Sequence, residues 1–296
     1  MSWPLSCVRP SEPLANHTSF RIGGPAEWFA EPQNLNELVA VLQEAVRIGV
    51  PVGTVGGGTN TLAADRGVRG LIVHLGRGFR TVQELSGPDE PSVRVRCGAA
   101  LVTQRLVYLG ARHGWGSVER FAGLPGHVGG AVIMNAQDIG RYVRKVRLVS
   151  MDGTLRQLTP DAIHFGYRYT AIEPGIVTDV DLEFPRIPPE EAAASIRTSL
   201  AYRNSTQDLR VPSAGCAFKN PPGASAGRLI DEAGLKGVRL GDAQISTRHA
   251  NFIVNLGYAS CDQVLALMEH TQRMVDRHFG VVLEPELRLL GEPWSS

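Results

Sequence analysis

Cysteine is scarce in this chain of 296 residues: the four thiols, Cys7, Cys97, Cys216 and Cys261, lie far apart. So few, so separated, exclude a disulfide framework for a chain of this size. No CxxC, HExxH or Cys/His spacing offers a metal site. No run of eighteen apolar residues reads as a membrane helix. Charge of neither sign dominates, since 30 Lys and Arg stand against 29 Asp and Glu. The basic excess expected of a nucleic-acid partner is therefore missing. The opening MSWPLSCVRPSEP is broken by prolines and has no apolar core, so it does not read as a signal peptide; a cytoplasmic, reduced setting is expected. What is present is ordinary globular composition, 43% hydrophobic and 20% charged, in a chain long enough for two domains or three small ones. The 33 glycines imply many tight turns and close main-chain approaches, which suit a ligand-binding protein.

Periodicity orders the elements. Ala26–Glu31 reads as a short strand, and Asn34 as a helix N-cap with Glu37 completing a capping box. Leu35, Leu38, Val39, Leu42 and Val46 recur at helical spacing up to Gly49, and Val52–Val55 and Leu71–Leu75 follow as strands. Ser92–Cys97 alternates as a strand and Leu101–His113 has a helical pattern. Val143–Ser150 and Thr154–Leu158 form a hairpin around Asp152-Gly153, and Val177–Phe184 is a further strand. Prolines 185, 188 and 189 suggest a linker before a helix over Glu190–Tyr202. Helices over Ala226–Ala233 and Asp262–Phe279, a strand over Asn251–Asn255 and a closing strand over Val281–Leu290 complete an α+β architecture.

Three segments carry chemistry. The strand Val52–Val55 runs into Gly56, Gly57, Gly58, Thr59 and Asn60, a loop rich in main-chain N–H groups of the kind that bind phosphate oxygens. It is neither a Walker loop, because no Gly-Lys-Ser/Thr follows, nor a dinucleotide fingerprint, because Thr61 stands where a third glycine belongs. Alone it fits a simple tight turn equally well. A second glycine run, Gly123 to Gly130, makes a grip on the two ends of a long dinucleotide an open alternative. His127 inside that run reads as a polar loop residue. The third segment, SAGCAFKNP from Ser213 to Pro221, sets the Cys216 thiol in a small-residue stretch just before Lys219 and Asn220, which can donate to phosphate or carboxylate.

Taken together, NHTSFRIGGPA (16–26), VGGGTNTL (55–62), GLPGHVGGAVIMNA (123–136), FGYR (165–168), SAGCAFKNP (213–221), AGRLIDEAGLKG (226–237), HANFIVN (249–255) and LEPELRLLG (283–291) resemble one family, UDP-N-acetylenolpyruvoylglucosamine reductase. The segments occur in the family's order over nearly the whole chain, and their joint occurrence is highly specific. The resemblance implies a bacterial cytoplasmic flavoenzyme of peptidoglycan synthesis; a monomer with no membrane insertion is expected. It uses NADPH to recharge bound FAD and reduces an enolpyruvyl ether on a UDP-sugar to UDP-N-acetylmuramate. It implies a two-part, vanillyl-alcohol-oxidase-like FAD-binding region (1–78 and 79–205), a substrate-binding domain (206–283) and a tail (284–296) returning to the active site. Short connections in the C-terminal part match the group without an extra substrate-covering insertion.

The same resemblance assigns residues. Gly56, Gly57, Gly58, Thr59 and Asn60 fall on the FAD diphosphate loop, and Gly123 and Gly130 in a second flavin-contacting segment. Arg168 falls near the substrate's reacting end, Cys216 at the proton donor, and Glu286 at the catalytic glutamate. Asn220 falls in the UDP-diphosphate site, with Lys219 beside it. A guanidinium suits an enolate and its carboxylate because it stays charged and bonds in pairs. A thiol of ordinary pKa ~8.5 is a better proton donor to carbon than a serine hydroxyl. Glu286 bonds the enolate if protonated or orients Arg168 if ionised. Without the family, Arg168 reads as a guanidinium stacked between Tyr167 and Tyr169, and Glu286 and Lys219 as solvated charges. A flavin oxidase acting on alcohols leaves Arg168, Cys216 and Glu286 without a task; a silent nucleotide-sugar sensor would be colourless. Two departures stand out: Gln137, Asp138 and Ile139 replace the family's usual Gly-Ala-Tyr, at nicotinamide or flavin-edge contacts, and Asp208 stands where the family often has proline.

Overall fold

Asn34 opens the first helix as its sequence predicts, its side chain accepting the Glu37 N–H at 3.0 Å. Glu37 reaches back to the Gln33 N–H, at 2.7 Å, so the box closes one residue earlier than expected. The helix Leu35–Ile48 buries Leu38, Val41, Leu42 and Ala45 and ends at Gly49, whose N–H meets the Ala45 and Val46 carbonyls. Val46, counted on the apolar face, is 59% exposed. The strand after the helix, Val52–Thr54, pairs in parallel with Val68–Val73, with Val52 opposite Leu71. This is the expected β-α-β unit.

The computed structural model describes residues 3–206 and 211–291. The chain divides into two compact units that interleave along the sequence. One takes in Phe29–Gly57 and Leu71–Arg203 with the chain up to Arg9; the other takes in Pro10–Trp28, Gly58–Gly70 and the chain from Asn204 onward. A four-stranded sheet has the order Val8–Pro13, Pro25–Ala30, Val68–Val73, Val52–Thr54. Its first strand escaped sequence reading because Pro10, Pro13 and Glu12 break any apolar alternation.

Within the first unit, a five-stranded sheet runs Val82–Glu84, Ser92–Gly98, Gly175–Pro185, Val143–Ser150, Leu155–Leu158. Every neighbouring pair in it is antiparallel. Its core joins Val93, Val95, Leu106, Phe121, Val146 and Phe184, all at most 1% exposed. The stretch expected as a linker, Pro185–Pro189, is instead part of this unit. Pro185 accepts from the Gly116 N–H at 2.8 Å and the Ile187 N–H donates to Gly114 at 2.9 Å. Proline removes only its own donor; the carbonyls and the intervening N–H groups still pair. The helix that follows is longer than expected, Pro189–Thr206.

The second unit is built on a four-stranded sheet, Ser213–Cys216, Phe252–Asn255, Ala243–Ile245, Arg239–Leu240, with the helices Ala226–Glu232 and Cys261–Phe279. Ser260 and Gln263 cap the long helix reciprocally. Phe218, Ile230, Val264, Leu267 and Leu283 lie in its core. The closing strand is much shorter than expected, Arg288–Leu290, and pairs in parallel with Thr61–Ala63. Residues 281–287 do not extend it because Pro285 lacks a donor and its neighbours bond elsewhere. No described helix is long and apolar enough to cross a membrane.

Candidate active site

Cys216 ends a strand whose pairing with Phe252–Asn255 is irregular: Ser213 faces Val254 and Cys216 faces Phe252, with a register shift between. The chain beyond is held from two sides. Ala217 N–H donates to Asn251 O at 2.8 Å, and the Asn251 side chain, in a residue 3% exposed, brackets Phe218. Its Oδ1 accepts the Phe218 N–H at 3.0 Å and its Nδ2 donates to the Phe218 carbonyl at 2.8 Å. On the other side runs the segment that sequence reading took for a strand. Lys219 N–H donates to Glu284 O and Glu286 N–H to Ala217 O, each at 2.8 Å, while Phe218 bridges to Pro285. Glu286 thus lies one main-chain bond from the residue after Cys216.

The first glycine loop enters the same cluster at its far end. Asn60 Nδ2 donates to the Glu286 carbonyl at 3.1 Å, and Arg288 N–H donates to Asn60 O at 3.0 Å. Ser19 joins the parts: its N–H meets Gly58 O at 3.1 Å, and its hydroxyl donates to Ser213 O at 2.7 Å. Cys216, Glu286 and Asn60, predicted separately, are therefore gathered in the second unit. Ser19 and Asn251 were missed as individual residues, since a single serine or asparagine carries no signal, although both fall within matching segments. Lys219 pairs with Glu284, and Asn220 Oδ1 accepts the Ala226 N–H at 3.0 Å, closing the turn into the next helix.

Cys216 is half-buried and takes part in no disulfide. Burial, helped by the Asp181 and Asp179 charges, pushes the Cys97 thiol up to about 12. Burial and then Asp65 push Cys261 to about 12. Neither is exposed to a substrate.

Arg168 belongs to the first unit, at the tip of a hairpin. His164–Gly166 and Tyr169–Ala171 pair antiparallel with Gly166 opposite Tyr169, leaving Tyr167 and Arg168 as the loop. A Cβ on Gly166 would stand 1.9 Å from the Tyr169 ring, so a side chain there would displace that ring. The hairpin is tied to the second glycine segment, since Asn135 Nδ2 donates to Gly166 O at 2.9 Å and Thr170 Oγ1 to Val132 O at 2.5 Å. Arg168 has φ +62°, a left-handed conformation that L-residues with long side chains avoid and that a turn of this kind normally gives to glycine. Its guanidinium carbon lies 5.6 Å from the Tyr167 ring centroid, so the stacking read from the sequence is present on that side. Arg203 is a neighbour that sequence reading did not single out: burial, and then the Arg168 charge, lower its pKa. Gly123 sits against it, a Cβ there reaching to 2.8 Å from Arg203 Cδ.

The two glycine segments touch within this unit. A side chain on Gly57 would bring its Cβ to 2.7 Å from Gly126 Cα, so only hydrogen fits between the two main chains. Gly56 and Gly130 are exposed, and their faces open outward. The departure at Gln137 and Asp138 has a structural cost: both adopt left-handed backbone, φ +54° and +56°, where the family's usual glycine at the first position is unstrained. Asp138 lies 3.7 Å from both Arg120 and Arg141. The other departure, Asp208, lies outside the described residues.

Comparison with known proteins gives these segments a common context. Residues 207–290 match the UDP-N-acetylenolpyruvoylglucosamine reductase C-terminal domain, and residues 26–159 match an FAD binding domain. A UDP-N-acetylenolpyruvoylglucosamine reductase of Myxococcus xanthus is 42% identical over 291 residues, covering 96% of this chain and 93% of its own. The chain belongs to the UDP-N-acetylenolpyruvoylglucosamine reductase family. The family's reductase 2 of Symbiobacterium thermophilum is 40% identical over 294 residues, 97% of this chain and 94% of its own. A crystal structure of the reductase from Thermus caldophilus superposes with a TM-score of 0.80 at 37% identity, over 95% of this chain and 97% of that one. The α+β class, with an FAD-binding region and the family's C-terminal domain, is as expected.

Proposed function

We propose that this chain reduces UDP-N-acetylglucosamine enolpyruvate to UDP-N-acetylmuramate with Cys216 as the proton donor, Arg168 as the anion-stabilising group and Glu286 as the catalytic carboxylate. Membership of the family carries the flavin-dependent reductase activity in peptidoglycan precursor synthesis, with FAD as cofactor and NADPH as reductant. The residue roles rest chiefly on one observation, the interlocking of the Cys216, Glu286 and Asn60 segments by main-chain and amide bonds in a single unit.

The residues present fit a flavin diphosphate. Gly57 and Gly126 approach as only glycines can, and the Gly56 and Gly130 faces are open. Gly56, Gly57, Gly58, Thr59 and Asn60 would hold the diphosphate, with Gly123 and Gly130 in the second contact. When bound there, FAD would supply the hydride for the terminal carbon of the enolpyruvyl group. Arg168 then offers paired donors to the carboxylate as negative charge develops; its strained backbone and the adjacent Arg203 cation support an anion-binding task. Cys216 gives its proton to the adjacent carbon and is left as thiolate, to be reprotonated from solvent. Lys219 and Asn220 are proposed for the diphosphate of the UDP-sugar. Functionally, 1–78 and 79–205 are the two flavin-binding parts, 206–283 the substrate domain and 284–296 the returning tail, the last supported by the bonds from 284 and 286 to 217 and 219. A cytoplasmic monomer without membrane or nucleic-acid partners completes the reading.

The purified protein is expected to be yellow and to bleach anaerobically with NADPH. Adding the enolpyruvyl sugar should restore the colour. Flavin that stays bleached after the substrate is added would overturn the reading.

A further inference from the structure

His127, in the second glycine segment, has no task in the reaction. It follows Gly126, against whose Cα a Cβ on Gly57 would stand at 2.7 Å. Its Nδ1 lies 3.8 Å from where a Cβ on Gly56 would stand, and among the described residues nothing else comes within 4 Å of that point. Gly56 is exposed and His127 half-buried, so the imidazole flanks an open stretch of main chain and does not fill core. Behind it, the His74 ring stands 6.0 Å away, centroid to centroid. His74 is anchored at the loop's root, its Nδ1 bonded to the Val55 carbonyl at 3.1 Å. Arg80 is also near enough to act on the His127 charge.

Three basic side chains from separate segments thus gather at the start of the first glycine loop. Without an anion they oppose one another. Burial first, then His74 and Arg80, hold the His127 pKa down at about 4, so the imidazole is neutral near pH 7. An opposite charge placed beside it reverses the electrostatic part of that balance. Among the described residues, the charges that act most on it are those of His74 and Arg80, and the helix Thr103–His113, whose preceding residue Val102 bridges to His127, offers first Arg105.

We propose that His127 forms part of the seat of the cofactor's diphosphate and takes up a proton when FAD binds. The inference rests on the reading of Gly56–Asn60 and Gly123–Gly130 as flavin loops. The sign follows from linkage: the complex binds more protons than the free protein, so affinity falls as pH rises between the two His127 pKa values. One full proton corresponds to a change of up to about tenfold in Kd per pH unit.

The test strips flavin from the full-length protein and titrates FAD back at pH 6 to 9, following flavin fluorescence. Calorimetry in two buffers of different ionisation enthalpy counts protons. Wild type and His74→Asn should take up protons and bind more weakly as pH rises. His127→Asn and His127→Gln should take up none, with a flattened pH profile and a Kd that converges on wild type at high pH. Riboflavin, which lacks the diphosphate, should show no His127-dependent slope. Equal proton uptake in wild type and both His127 variants would overturn the proposal, as would loss of uptake in His74→Asn alone or a His127-dependent slope with riboflavin. Failure of the wild type to bind FAD at any pH would overturn the loop reading and this proposal together.

Discussion

The two units place their proposed catalytic groups by opposite means. In the first, Arg168 is held on strained backbone at a hairpin tip, beside Arg203, whose pKa is lowered by burial and by the Arg168 charge. In the second, Cys216 and Glu286 are set by ordinary main-chain pairing, reinforced by Asn251 and Asn60. The difference fits the proposed tasks. A group that meets a developing charge gains from crowded positive potential that the empty protein finds unfavourable, whereas a proton donor needs only a fixed position next to carbon.

The comparison breaks most visibly at the thiol. Cys216→Ala should leave flavin reduction by NADPH intact while slowing product formation by about 10²–10⁴-fold. Cys216→Ser should retain more activity, because its hydroxyl still carries a transferable proton. Stopped-flow measurement of the two half-reactions separates these effects, and unchanged turnover in the alanine variant would remove Cys216 from the mechanism.

At Arg168 the strain itself can be tested. Arg168→Lys should lower kcat by roughly 10²–10³-fold, losing the paired donors while keeping the charge. Arg168→Gly should lose at least as much activity yet raise stability by about 1 kcal/mol, because glycine accepts φ +62° freely. Denaturant midpoints measure this; a destabilised glycine variant would show that side-chain packing, not function, holds the arginine there.

Gln137 sharpens the comparison from the other direction, since it is strained but has no proposed chemical task. Gln137→Gly should stabilise by about 0.5–1 kcal/mol, relief of the left-handed backbone being partly offset by the freer unfolded chain. Turnover should change little. A large loss of activity would reveal that the departure from the family pattern serves catalysis.

Much of the fold was legible because local rules agree with the tertiary result. The Asn34 cap, the Gly49 helix end and the alternating Ser92–Gly98 strand each follow from chemistry within a few residues. Reading failed where partners are distant. Val8–Pro13 is a strand despite its prolines, and Val281–Leu287 is not one despite its apolar residues. In both places pairing with remote main chain outweighs local pattern.

The candidate site divides in the same way. Motif order along the chain was enough to name the family and to pick out Arg168, Cys216 and Glu286, because residue identity at each spacing is a property of the chain alone. That Glu286 lies against the residue after Cys216, that Arg168 is twisted beside a second guanidinium, and that His127 stands over Gly56 were settled only by folding. Burial and approach between residues tens to hundreds of positions apart set charge and proton affinity, and neither quantity exists in the unfolded string.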